Sequence, residues 1–197
     1  MSKLDSQFLT ERLELRLLTL DDTEDIFNYA SDPAVTKNTA WFMHGSIEDT
    51  EAFVRFVLDA HSDEEGSLRH VWAIRVRGEP QAVGTIDLVQ DQATLAHIDF
   101  ALARPHWGKG IVTEAAFAVV DWGFRRLPEL AEIRSGGLSR NVGTMRVLEK
   151  LGFRLWKRTT VARPPKFAEE ELEASHFVLS RESFYDAGGA AGDAPQH

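Results

Sequence analysis

Three short stretches of the 197-residue sequence carry residue types that could do chemistry. The first, Arg104-Pro105-His106-Trp107-Gly108-Lys109-Gly110-Ile111-Val112-Thr113-Glu114-Ala115, sets two glycines and a lysine just ahead of an apolar periodic run. Glycines let backbone N–H groups converge where side chains would obstruct, a helix N-terminus adds positive potential, and Lys109 adds a full charge. That combination suits a pyrophosphate, although a tight turn with two permissive residues would look the same from this stretch alone. The second stretch, Asn141-Val142-Gly143-Thr144 leading into Met145 to Phe153, offers an amide and a hydroxyl at a helix start, where Asn141 is also a natural N-cap. The third, Ala96-His97-Ile98-Asp99-Phe100, alternates, so His97 and Asp99 share one strand face and Ile98 and Phe100 the other. An imidazole can accept a proton near neutral pH, directly or through water, and a nearby carboxylate can orient it or hold a cationic substrate. A polar pair on a solvated strand face is the alternative.

The elements that must position these residues follow from hydrophobic periodicity. Alternation from Arg12 to Leu17 predicts a strand over about 12–18, and Thr19 to Ser31 reads as a helix ended by Asp32-Pro33. Ser46 and Asp49 form a capping-box pattern ahead of a helix over 47–61. Three β-rich runs, 70–77, 82–90 and 94–102, resemble an antiparallel meander, the first two joined by Arg77-Gly78-Glu79-Pro80. The glycine stretch then feeds a helix from Ile111 to Arg125, followed by a short strand near Glu132 to Ser135 and a helix from Asn141 to Leu151 stopped by Gly152. Two late strands fall near 153–162 and 172–180. Residues 1–186 are expected to form a single domain, with the Gly- and Ala-rich segment 187–197 as a frayed tail.

Composition narrows the function. The sequence is 43% hydrophobic and 27% charged, as in a globular domain, and its formal net charge of −9 disfavours nucleic acid as a partner. With no cysteine, thiolate metal sites and cysteine nucleophiles are excluded. Neither a secretion leader nor a membrane span is indicated, and a cytoplasmic location is expected.

Taken together, Trp107-Gly108-Lys109-Gly110 with Thr113-Glu114-Ala115, then Asn141-x-x-Thr144 and Val147-Leu148-Glu149-Lys150-Leu151-Gly152-Phe153, resemble the GNAT N-acetyltransferases of the RimJ/RimL-like branch. The element order matches that superfamily over roughly residues 8–182. The resemblance implies an α+β fold: a twisted, mostly antiparallel sheet of about seven strands flanked by helices and splayed between its fourth and fifth strands. Acetyl-CoA is implied as cosubstrate, lying in the split with no metal required. Its pantetheine would pair with Phe100, Ala101 and Leu102 like an added strand. The pyrophosphate would meet the backbone of Trp107, Gly108, Lys109, Gly110, Ile111 and Val112, and Asn141 would hydrogen-bond the pantetheine. His97, Asp99 and Thr144 are the implied catalytic candidates, and Trp41 and Phe42 the candidate walls of the acceptor pocket.

The implied reaction is direct transfer in a ternary complex to a primary amine, either a small molecule or a protein N-terminus, with an N–H near Phe100 or Ala101 meeting the oxyanion. Homodimers are common in the branch. Three positions depart from the family pattern: Pro105 replaces a Gln or Arg, Leu148 stands where many members carry a tyrosine acid, and Thr144 replaces a serine. Two other readings remain. One is a non-catalytic acyl-CoA-binding module. The other is an iron/2-oxoglutarate oxygenase using His97, Asp99 and His176, with Arg181 and Ser183 as an Arg-x-Ser motif, although that fold is a double-stranded β-helix.

Overall fold

A computed structural model describes residues 7–39, 41–59, 68–161 and 171–189. One sheet of eight strands organises them, in the order β1-β2-β3-β4-β5-β6-β8-β7. The strands are β1 (Phe8–Leu9), β2 (Leu13–Leu17), β3 (Leu68–Val76), β4 (Ala82–Gln92), β5 (Leu95–Leu102), β6 (Glu132–Leu138), β7 (Arg154–Val161) and β8 (Leu172–Ser180). All pairings are antiparallel except β5 with β6. That pair is bridged by helix α4 (Ile111–Arg126), since parallel neighbours need a crossover.

Period-2 alternation feeds two cores from one strand. On β3, Trp72 and Ile74 face a cluster with Ile86, Leu88, Ile98 and α4 residues Val119 and Phe124. Val71 and Ala73 face the opposite side, where α1 (Thr23–Ala30) and α3 (Ile47–Asp59) supply Ile26, Tyr29, Val54 and Val57. Gly123 lets α4 close onto β4, because a Cβ there would stand 2.8 Å from Leu88 Cδ2.

Several expectations need correction. The sheet of about seven expected strands gains an eighth, the two-residue β1, which pairs with β2. Asp32-Pro33 does not simply end a helix: Asp32 caps a short new one, α2 (Pro33–Thr36), by accepting from the Ala34 amide at 2.8 Å. The strand at 132–135 continues to Leu138 through Gly136 and Gly137. At Gly136 any Cβ would lie 2.6 Å from the Ser175 carbonyl of β8, so the strand's glycine permits close pairing. The Ser46–Asp49 capping box forms as expected. Of the expected tail 187–197, residues 187–189 belong to the helical turn Tyr185–Gly189, and 190–197 lie outside the described residues. Among the described residues no helix is long and apolar enough to cross a membrane.

Candidate functional site

The site is built on the one parallel pair. β5 and β6 are in register only at Leu95↔Glu132, Ala96↔Ile133 and His97↔Arg134. Beyond His97 both strands continue, β5 to Leu102 and β6 to Leu138, without pairing to each other. Their facing edges therefore carry backbone groups without a ladder partner.

The direction of those groups can be worked out from β4. Ala103 donates to the Val83 carbonyl at 2.8 Å, and the Asp99 amide donates to Asp87 Oδ1 at 2.9 Å, so the odd-numbered residues of β5 turn their amides toward β4. Alternation turns the Phe100 and Leu102 amides into the split. Ala101, expected as an alternative oxyanion donor, turns away from it. The Leu102 carbonyl is already engaged, accepting from Trp107 Nε1 at 2.8 Å.

A cleft of about 960 Å³ opens at the split. Its lining joins His97, Asp99, Phe100 and Ala101 of β5 to Asn141 and Thr144 of α5 (Val142–Lys150), with Trp41 on the α1–α3 side. Asn141 has the capping role, its Oδ1 accepting from the Thr144 amide at 3.4 Å, while its Nδ2 donates to the Asn38 carbonyl at 3.5 Å. Phe42 is not in the lining and is 59% exposed.

The glycine loop lies beside this cleft rather than in it. Gly108 and Gly110 both take positive φ, +73° and +76°, and Gly110 caps α4. The first intrahelical donor is Glu114, onto the Gly110 carbonyl at 3.0 Å, so the amides of Gly110, Ile111, Val112 and Thr113 precede the helix's own acceptors. The loop is tied down from behind. Glu114 accepts from Arg12 N at 2.9 Å and Nε at 2.7 Å and from Thr10 Oγ1 at 2.5 Å, and Arg12 Nη1 donates to the Lys109 carbonyl at 2.9 Å. The sequence reading did not single out either Arg12 or Glu114 for this work.

The polar side of the cleft also differs from expectation. His97 is held by Asp91, Nδ1 to Oδ2 at 2.5 Å, and not by Asp99. With Nδ1–H donated to that carboxylate, Nε2 is the basic nitrogen. Asp99 pairs in register with Asp87, a residue whose role only the β4–β5 register reveals. Burial and then the charge of Asp99 push the Asp87 carboxyl up to about 7, while Arg69, 3.9 Å away, pulls the other way. Desolvation by the surrounding protein likewise raises the Asp99 carboxyl, to about 6, against the pull of His97 and Arg69, although the residue itself is exposed to the open cleft. His44, on the opposite wall, is lowered by burial and hydrogen-bonds Thr50 at 2.8 Å. Ser135, first beyond the last β5–β6 pair, is buried with its Oγ unpartnered among the described residues.

The oxygenase reading fails on the fold, because the strands form one open sheet and not a double-stranded β-helix. His97, Asp99 and His176 all line the cleft, yet among the described residues no three such side chains converge on a metal position. His176 Nε2 lies 2.8 Å from Thr159 Oγ1. Arg181 instead clamps the end of α4, donating to the carbonyls of Phe124, Leu127 and Leu130.

Comparison with known proteins agrees with this architecture. Residues 12–154 match the acetyltransferase (GNAT) domain family. The uncharacterized N-acetyltransferase p20 of Bacillus licheniformis is 28% identical over 146 residues, 73% of this chain and 80% of that protein. Among solved structures, an acetyltransferase of the GNAT family from Bacillus anthracis superposes with a TM-score of 0.76 at 24% identity, covering 89% of this chain and 99% of that one. The microcin C7 self-immunity acetyltransferase MccE, solved with acetyl-CoA and AMP, has a TM-score of 0.71 at 17% identity, covering 87% and 93%.

Proposed function

We propose, on the premise that this chain belongs to the GNAT acetyltransferase family and is an N-acetyltransferase, that it moves the acetyl group of acetyl-CoA directly to a primary amine bound in the cleft. The observation that carries this reading is the split itself: three parallel pairs, then two unpaired edges with the glycine loop at the C-terminal end of β5. The chain's own groups fit the cosubstrate. An added strand would find the Leu102 amide on the open edge of β5, leaving the Phe100 amide free, and the buried Ser135 hydroxyl lacks any other partner among the described residues. A pyrophosphate would find the amides at the start of α4, with Lys109 beside them. Bound acetyl-CoA supplies the activated carbonyl and a thiolate leaving group.

The remaining chemistry falls to the cleft residues. An ammonium has no lone pair, so the acceptor must lose a proton before it can attack. His97 Nε2, with Nδ1 fixed on Asp91, is the base, acting directly or through water. Asp99 and Asp87 attract the cationic acceptor and hold it near that base. Phe100 N–H is the donor available to a developing oxyanion on the open edge. Thr144 and a water are the candidates for returning a proton to the departing thiolate, since Leu148 has no proton to give. RimJ/RimL-like chemistry and a cytoplasmic setting belong to this reading, as does a homodimer.

The test is turnover of acetyl-CoA on a panel of amines by the full chain. Thiol release that depends on the amine supports transfer. Acetyl-CoA binding without release on any amine would favour a non-catalytic module.

A further inference from the structure

The β4–β5 arm of the split presents the carboxyls of Asp87 and Asp99, and the arm across from it presents the cations Arg134 and Lys157. On the β4–β5 arm, Arg69 lies 3.9 Å from Asp87, while Asp99 is attracted by His97 and Arg69 without a close ion pair to either. On the other arm, His176 of β8 stands in register with both Gly136 of β6 and Lys157 of β7. The β7–β8 register shifts between Leu155 and Lys157, which leaves Trp156 as the extra residue of a bulge. Bulges re-aim side chains, and this one sets Trp156 in the cleft lining while half its surface stays exposed.

Two cations converge on that indole. Arg134 Cζ and Lys157 Nζ each lie 4.5 Å from the ring centroid. Arg134 forms an ion pair with Glu132 through Nη2, yet its Nε is buried and unpartnered among the described residues, and Lys157 has no carboxylate in ion-pair range among them. Burial and then the charge of Lys157 lower the His176 titration from its ordinary range, which disfavours a further charge on this arm. Like charges gather on one ring in this way at a place where an anion would relieve their repulsion. The planar fork of Arg134 suits a carboxylate or phosphate.

We infer that the acceptor is an amine that also carries an anionic group, in the manner of an amino acid, its amine at Asp99 on one arm and its anion at Arg134 and Lys157 on the other. This rests on the acetyl-transfer reading above. A polyamine would bring positive charge against Arg134 and Lys157, and a simple alkylamine would leave them unmatched.

The experiment compares kcat/KM, referred to free amine, for glycine, β-alanine and 4-aminobutyrate against alkylamines of the same length, and for 2-aminoethyl phosphate against ethanolamine. The two series separate carboxylate from phosphate. The expected result is a preference of about tenfold or more for the anionic member in at least one series. Lys157→Gln and Arg134→Gln, each checked for a wild-type thermal transition, should bring that ratio toward one. Equal use of charged and neutral amines, a preference for diamines, or a ratio unmoved in both variants would overturn the inference while leaving acetyl transfer intact. Acetyl-CoA binding with turnover on no amine would overturn the transfer reading, and the inference with it.

Discussion

Replacing Gly108 with valine separates the backbone shape of the glycine loop from its packing. The residue sits at φ +73°, and a Cβ added there would meet nothing within 4 Å, so the substitution introduces strain without a clash. Left-handed backbone costs an ordinary L-residue about 1–2 kcal/mol, and a β-branched one at least that. In the free protein an exposed loop can relax into another conformation and escape the strain. Binding must restore the convergent amides, so the penalty reappears there as an affinity for acetyl-CoA about 5- to 30-fold weaker. Gly108→Asn is the control, because asparagine visits the left-handed region readily and should stay within about threefold of wild type. Calorimetric titration gives the affinities, and thermal unfolding establishes that both variants are folded. Valine binding as tightly as glycine, or asparagine losing as much as valine, would refute the cradle as argued.

Other consequences are accessible to simpler assays. Asp22 is fully buried and pairs with Arg16, so Asp22→Ala should lower the unfolding free energy in urea by about 3–5 kcal/mol at pH 7; a loss near zero would show the pair is not structural. Burial alone would raise the Asp22 carboxyl, but the bonds from Arg16 and Thr19 outweigh it and hold it below the ordinary range. Its contribution is therefore present above the unfolded value and lost as pH falls through the folded one, and wild type should lose more stability than Asp22→Asn on acidification. Asp87 has the opposite sign. Its carboxyl is pushed up to about 7 by burial and then Asp99, so the neutral form's advantage is present below the unfolded value and lost as pH rises through about 7. Asp87→Asn should gain more thermal stability at pH 8 than at pH 5, while the KM for the acceptor rises; equal gains at both would refute the assignment. His97→Ala should reduce turnover more at neutral than at high pH, where amines deprotonate unaided, and Asp91→Asn should do the same more weakly. An identical loss at both pH values would remove His97 as base.

Much of the scaffold was legible because period-2 and helical patterns report burial directly. Val71 and Ala73 against Trp72 and Ile74 show it on a single strand. β1 and α2 escaped because two and four residues are too short to show a period. The glycine loop and the His97–Asp99 face were readable from local order. Their partners were not, because Asp91 reaches His97, and Asp87 and Arg69 reach the cleft, through strand register, which sequence spacing does not encode. Trp156 is the extreme case: one extra residue in β7 decides which way the indole points. Asp99 shares the face of His97, but of its two expected roles, orienting the imidazole or holding a cation, the first falls to Asp91, which the hairpin end at Gln92 and Leu95 brings to His97.

Titrating the full chain with acetyl-CoA by calorimetry, then assaying the same preparation for amine-dependent thiol release, tests the central claim most directly. One molecule bound per chain, with release when an amine is added, is the expected result. A folded protein that binds neither acetyl-CoA nor free CoA would contradict the claim that the split between β5 and β6 is an acetyl-transfer site.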